Sequence, residues 1–141
     1  IDIISGLSEE VLNWRPESKE WGSGYNSLAV LAAHIVGAER RWAVEVIGGT
    51  PINRDRPAEF ATVSSHPSEL IASLESVGKE TRQVLEKLTA EELGEDRQVG
   101  ERIVAIRWVI LHLIDHISLH FGHMQITYQL FHKGKAHQMP R

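Results

Sequence analysis

Eight histidines stand in the 141-residue chain, and four of them, His112, His116, His120 and His123, fall close together near its end. With His112 set to zero and ~100° per residue, they lie at about 0°, 40°, 80° and 20° around a helix, all on one face. Leu113, Ile117, Phe121, Met124 and Leu130 supply apolar surface near or beside that face, so the histidines should point inward or toward a groove. His116 and His120 form an HxxxH pair, one helical turn apart, which lets two imidazoles converge on one metal ion. A third ligand has to come from another helix. His34 is the best candidate, because it sits in the apolar run Leu31-Ala32-Ala33-His34-Ile35-Val36, where a bare imidazole is costly without a partner. His112, His123 and Asp115 are candidates for orienting the ligands or moving a proton. The competing possibility is that these are satisfied core histidines, bonded to backbone or to Asp115, with no metal; both stand open at this point. His66, His132 and His137 are expected in solvent, Glu39-Arg40-Arg41 on a solvated helix face, and Arg15 beside Glu17 or Glu20. Trp14, Trp21, Trp42 and Trp108 are expected to be core or loop anchors.

Such a site needs long helices to hold it. Ile1, Ile3, Ile4 and Leu7 look like the end of an amphipathic helix whose start precedes residue 1, and Ser8 can cap one more short turn. The stretch from Trp14-Arg15-Pro16 to Trp21-Gly22-Ser23-Gly24 is loop-like. Asn26 can cap a helix from Ser27 to about Ile47, with Leu28, Leu31, Ala32, Ile35, Ala38, Trp42 and Val46 on its apolar stripe and Gly48-Gly49-Thr50-Pro51 ending it. Residues 50–66 carry two prolines and read as a long crossing loop, with Arg54-Asp55-Arg56 exposed or paired across it. Pro67 suits the first turn of a third helix, whose stripe runs from Leu70 to Leu88. Thr89 and Glu92 fit a capping box. Residues 94–100 read as a polar loop, and the last helix should run from about Ile103 to Phe131, with Gly134 beyond its end. Only Gln98 to Ile106 is ambiguous between strand and helix.

The bulk properties admit this design. Hydrophobic residues make up 42% and charged residues 24% of the chain, close to a soluble globular average. One domain over residues 1–141 is expected at this length. There is no cysteine, which excludes disulfides, a thiolate nucleophile and Cys-ligated zinc, and fits a reducing cytoplasm. The net charge of −4 argues against a nucleic-acid partner, and no apolar run reaches the ~20 residues of a membrane span.

The segment Trp108-Val109-Ile110-Leu111-His112-Leu113-Ile114-Asp115-His116-Ile117-Ser118-Leu119-His120-Phe121-Gly122-His123-Met124-Gln125 resembles the last-helix signature of the DinB-like (YfiT-like) superfamily. Leu31-Ala32-Ala33-His34-Ile35-Val36-Gly37-Ala38-Glu39-Arg40-Arg41-Trp42 resembles its second-helix signature, and Asn13-Trp14-Arg15-Pro16 the segment before that helix. The resemblance implies an all-α four-helix bundle of up-down-down-up type, here with its first helix shortened. It implies a metal held by three side chains, which fall on His34, His116 and His120. His120 is identified by the Phe121-Gly122 that follows it. The position of His116 is often Glu in mycothiol-dependent relatives, so the set here would be three histidines.

The resemblance also implies candidate activities: thiol-dependent isomerases and transferases using mycothiol or bacillithiol, with the metal activating the thiol. The leading expectation is therefore a metal-dependent enzyme of thiol-transferase, isomerase or hydrolase type, acting on a small-molecule substrate. Its cofactor would be a divalent ion, zinc ahead of nickel, iron or manganese, since imidazole suits several of these metals. The alternatives are a non-catalytic metal-binding or stress-response bundle and a plain structural bundle. A homodimer is expected, both because the family often pairs and because Trp14, Trp21 and the loop after Gly48 leave apolar surface to cover.

Overall fold

The computed structural model describes residues 1–16 and 24–132. Trp21, Gly134, His137, Glu17 and Glu20 lie outside them. Residues 1–7 form tight turns, closed by backbone bonds such as Ile4 N to Ile1 O at 3.0 Å, instead of the regular helix end expected there. Ile3 and Ile4 are nevertheless buried in the core. Helix α1, Glu9–Asn13, follows with Ser8 as its cap, the Ser8 side chain accepting from Val11 N.

Helix α2 spans Leu28–Glu39, and Ser27 caps it in place of the expected Asn26: its hydroxyl accepts from Val30 N at 3.2 Å. The helix continues without a break as a π-helical segment, Arg40–Ile47. The wider winding is seen in the bond from Gly48 N to Ala43 O at 2.9 Å. It also slips the phase of the stripe, so that Ala43, Val46 and Ile47 are the buried positions. Gly49, at φ 69°, turns the chain away, a conformation that glycine adopts without a Cβ clash.

The crossing segment is less loop-like than its prolines suggest. It contains a short helix, α3, Arg56–Phe60, capped by Asp55, whose Oδ1 accepts from Ala58 N at 3.0 Å. Helix α4 spans Pro67–Leu85 with Pro67 in its first turn. The capping box is present: Glu92 Oε2 accepts from Thr89 N at 2.7 Å and Thr89 Oγ1 from Glu92 N at 3.4 Å, around a single 3₁₀ turn, Glu92–Gly94. The polar stretch after it is a β-hairpin, β1 Asp96–Val99 paired antiparallel with β2 Arg102–Ala105 in the register Asp96 to Ala105. The long helix α5 therefore starts at Ile106, later than expected, and runs to Phe131.

Helix α2 packs against α4 and α5, and α3 lies on α2. One apolar cluster joins Ile4, Leu12, Leu28, Leu31 and Ile35 to Met124 of α5. A second joins Val46 and Ile47 of the π-helical segment to Ile106 and Val109, with Val104 of the hairpin covering it. The hairpin thus closes one end of a helical bundle. The Glu39-Arg40-Arg41 run is not a freely solvated face: Arg40 forks onto Glu80 of α4 at 2.8 and 2.7 Å, Glu39 accepts from Thr81 Oγ1 at 2.7 Å, and Arg41 pairs with Glu45.

Candidate metal centre

His34 leaves the middle of α2 toward α5, where His116 and His120 sit one turn apart. The ring centroids stand 5.1 Å apart for His34 and His116, 4.9 Å for His34 and His120, and 4.4 Å for His116 and His120. One nitrogen from each ring falls within 4.8 Å of the other two, a group that could hold a metal ion. His116 and His120 are singled out by their spacing and His34 by its apolar neighbours.

The site's charge is set by an acid that spacing did not reveal. Among the described residues, His34 and Glu59 are the two buried ionisable side chains, and they bond to each other, Nδ1 to Oε2, at 3.0 Å. Arg54 completes the arrangement, donating from Nε to Glu59 Oε1 at 2.6 Å and from a terminal nitrogen to Oε2 at 2.8 Å, a planar two-point fork. Burial pushes the Glu59 carboxyl upward, but the hydrogen bonds and charges of Arg54 and His34 outweigh it and hold the group below the usual range. Glu59 is therefore ionised and can only accept, so the Nδ1 of His34 donates to it. Space for this comes from Gly37, one turn after His34: a Cβ there would overlap the Glu59 carboxylate.

His116 and His120 are the complement. Burial, followed by the repulsion of neighbouring imidazoles, pushes each pKa from 6.5 down to about 4. Both rings are therefore neutral at pH 7, the form in which a nitrogen can donate a lone pair. His120 Nδ1 is buried with no hydrogen-bond partner. An orphaned nitrogen inside a cluster of neutral imidazoles is costly unless something electrophilic is bound there. The donor set fits a divalent ion of intermediate softness.

The remaining candidates divide. His112 stacks on Trp108 with ring centroids 5.0 Å apart and planes 7° from parallel, and meets Trp42 edge-on at 4.9 Å. It belongs to an aromatic cluster next to the site, in which Trp42 is half-buried, whereas Trp108 is exposed and not the core anchor expected. His123 is exposed, with its ring 5.4 Å from His120. Asp115 is exposed and takes no part in the cluster. His66 is exposed at the start of α4, whereas His132 is half-buried against Tyr128 and Phe131, so it is not the solvated residue expected. Arg15 reaches the carbonyl of Phe60 at 3.2 Å, tying the segment before α2 to α3. Arg54, Asp55 and Arg56 have separate tasks: a fork on Glu59, a helix cap, and a cation over the Phe60 ring at 5.2 Å.

Residues 2–131 match the family model described as mycothiol-S-transferase. No curated protein matches the chain. Among solved structures it is similar to the crystal structure of a DinB-like protein from Bacillus cereus ATCC 10987, with a TM-score of 0.72 and 17% identity over 92% of this chain and 81% of that one. At that identity the likeness speaks for the fold, which is the helical bundle described above. The family match covers nearly the whole chain, and the chain belongs to the mycothiol-S-transferase family of the DinB-like superfamily.

Proposed function

We propose that this protein is a metal-dependent enzyme of thiol-transferase or isomerase type, with His34, His116 and His120 as the ligands of a divalent ion, zinc first. The observation that carries the proposal is the convergence of three imidazole nitrogens within 4.8 Å of one another. When bound, such an ion lowers the pKa of a thiol or water set against it and supplies a nucleophile at neutral pH. The chain's own residues do the rest. Three imidazole ligands bring no negative charge to the site, which favours an anionic thiol over a neutral one. Beside His123, a cavity of about 270 Å³ is lined by Tyr25, Asn26, Leu31, His123, Thr127 and Leu130. Its largely apolar walls suit the body of a small substrate. The exposed His123 ring stands at the junction of cavity and cluster, placed to take the proton a thiol loses on entry.

The family's name supports a low-molecular-weight thiol as one substrate, and a small electrophile would be the other. No helix among the described residues is long and apolar enough to cross a membrane. A reducing compartment such as the cytoplasm suits thiol chemistry in a cysteine-free chain. The test is a thiol titration of the cobalt-substituted protein. A small thiol should change the cobalt absorption spectrum between pH 6 and 9, more weakly at the acid end. His116→Glu should retain cobalt and weaken thiol binding, because a carboxylate adds negative charge. A spectrum indifferent to thiol throughout that range would remove the thiol-transfer proposal and leave a water-activating or non-catalytic role.

A further inference from the structure

The long crossing segment between the π-helical end of α2 and α4 has no part in the ligand set, yet it delivers the only buried carboxylate among the described residues to the back of His34. We propose that Glu59 is the positioning residue of the centre: it fixes the His34 proton on Nδ1, leaves Nε2 as the ligating nitrogen, and reaches this place only because position 37 is glycine. Three independent features support the assignment. The Glu59 carboxylate is buried, as a residue placed for solubility would not be, and it accepts from His34 and Arg54. Helix α3 exists around it, with Asp55 capping the turn that carries it and Phe60, the next residue, placing its ring 5.1 Å from His34. Gly37 stands one turn beyond His34 on α2, where any side chain would displace the carboxylate.

Free neutral imidazole favours the proton on Nε2, the tautomer that would block this ligand position. A carboxylate accepting from Nδ1 reverses that preference, holds the ring against rotation and makes Nε2 a stronger donor. Arg54 keeps the carboxylate ionised and aligned as the acceptor for the Nδ1 proton.

The experiment has two arms. The first uses the metal-free full-length chain and nitrogen-15 NMR of the histidine rings at pH 7.5, and is independent of the proposed function. The His34 proton should sit on Nδ1 in the wild type and in Glu59→Gln, whose amide oxygen still accepts, and should move to Nε2 in Glu59→Leu and in Gly37→Ala. The second arm, which rests on the proposed metal-binding function, is zinc affinity by chelator competition. Glu59→Gln should lose about 10-fold, and Glu59→Leu and Gly37→Ala up to about 100-fold. Gly37→Ala is the decisive variant for a structural role, since it improves helix propensity while evicting the carboxylate. A wild-type His34 carrying its proton on Nε2 overturns the proposal, as does wild-type zinc affinity in both Glu59→Leu and Gly37→Ala. A wild type that binds no zinc but shows the Nδ1 proton, lost in those two variants, supports the positioning role and refutes the metal function instead.

Discussion

His116 and His120 are held neutral by burial first and then by the charge of neighbouring imidazoles, with pKa values near 4 against 6.5 when unperturbed. The unfolded chain therefore binds more protons than the folded one between those values. Stability contributed by this difference is fully present above pH ~6.5 and is lost as the pH falls toward ~4. Glu59, also held low, adds a loss of the same sign further into acid. For the metal-free protein we predict a flat Tm from pH 8 to 7 and a decline below ~6.5, with the His116→Ala, His120→Ala double variant visibly less steep. Identical slopes in thermal unfolding would contradict the burial of neutral rings. The same shifts mean that protons compete for these two nitrogens only well below the pH at which an exposed histidine would release metal. At this scale the sequence was informative where chemistry follows helical spacing. His116 and His120 are one turn apart on any helix, and His34 stood out by its apolar neighbours. Glu59 did not, because its partner lies 25 positions away and the condition that admits it is an absent Cβ at Gly37.

The elements were legible to the extent that apolar periodicity made them so. Helices α2, α4 and α5 follow three-and-four spacing; the expected stripe of α2 is the buried one, whereas α4 buries Leu70 and Val77 of its stripe, and α5 buries Leu113 and Met124 but leaves Phe121 and Leu130 exposed. The departures come from forces with no period. The π-helical winding after Glu39 is one added residue per turn, which a stripe of similar apolar residues tolerates without signalling it. The hairpin at Asp96–Ala105 has four-residue strands, of which only Val104 is buried, so alternation had little to show. Gly100 at φ 61° makes its turn. At the start of α2, Ser27 and Asn26 are chemically equivalent as caps, and only the bond to Val30 N separates them. We predict that Ser27→Ala costs about 1 kcal/mol in denaturant unfolding with unchanged m, and that Asn26→Ala costs less than half of that. The reverse order would restore the cap to Asn26. Leu12→Ala, at a fully buried position joining α1 to the main cluster, should cost about 2–5 kcal/mol.

For the whole molecule, the outer face of α5 is the feature that isolation leaves unexplained. Leu111, Ile114, Leu119, Ile126 and Leu130 are each more than half exposed there. Five large apolar side chains exposed along one long helix invite a covering partner. We propose that two copies pack through it as a homodimer, whose two-fold symmetry would set each α5 against its mate. Light scattering at micromolar concentration should give twice the 15.9 kDa chain mass, and Leu119→Glu with Ile126→Glu should return it to the monomer while leaving the helical circular dichroism unchanged. A monomeric wild type would contradict the pairing.

The central claim is that three histidines from two helices form one metal centre, and the most direct measurement is the stoichiometry of tightly bound zinc, by elemental analysis, in tag-free wild-type protein beside His34→Ala, His116→Ala, His120→Ala and the distant His66→Ala. One ion per chain is predicted for the wild type and for His66→Ala, with near-complete loss in each of the other three. Equal zinc content in the wild type and the His120→Ala variant, or a wild type that takes up none, would contradict it.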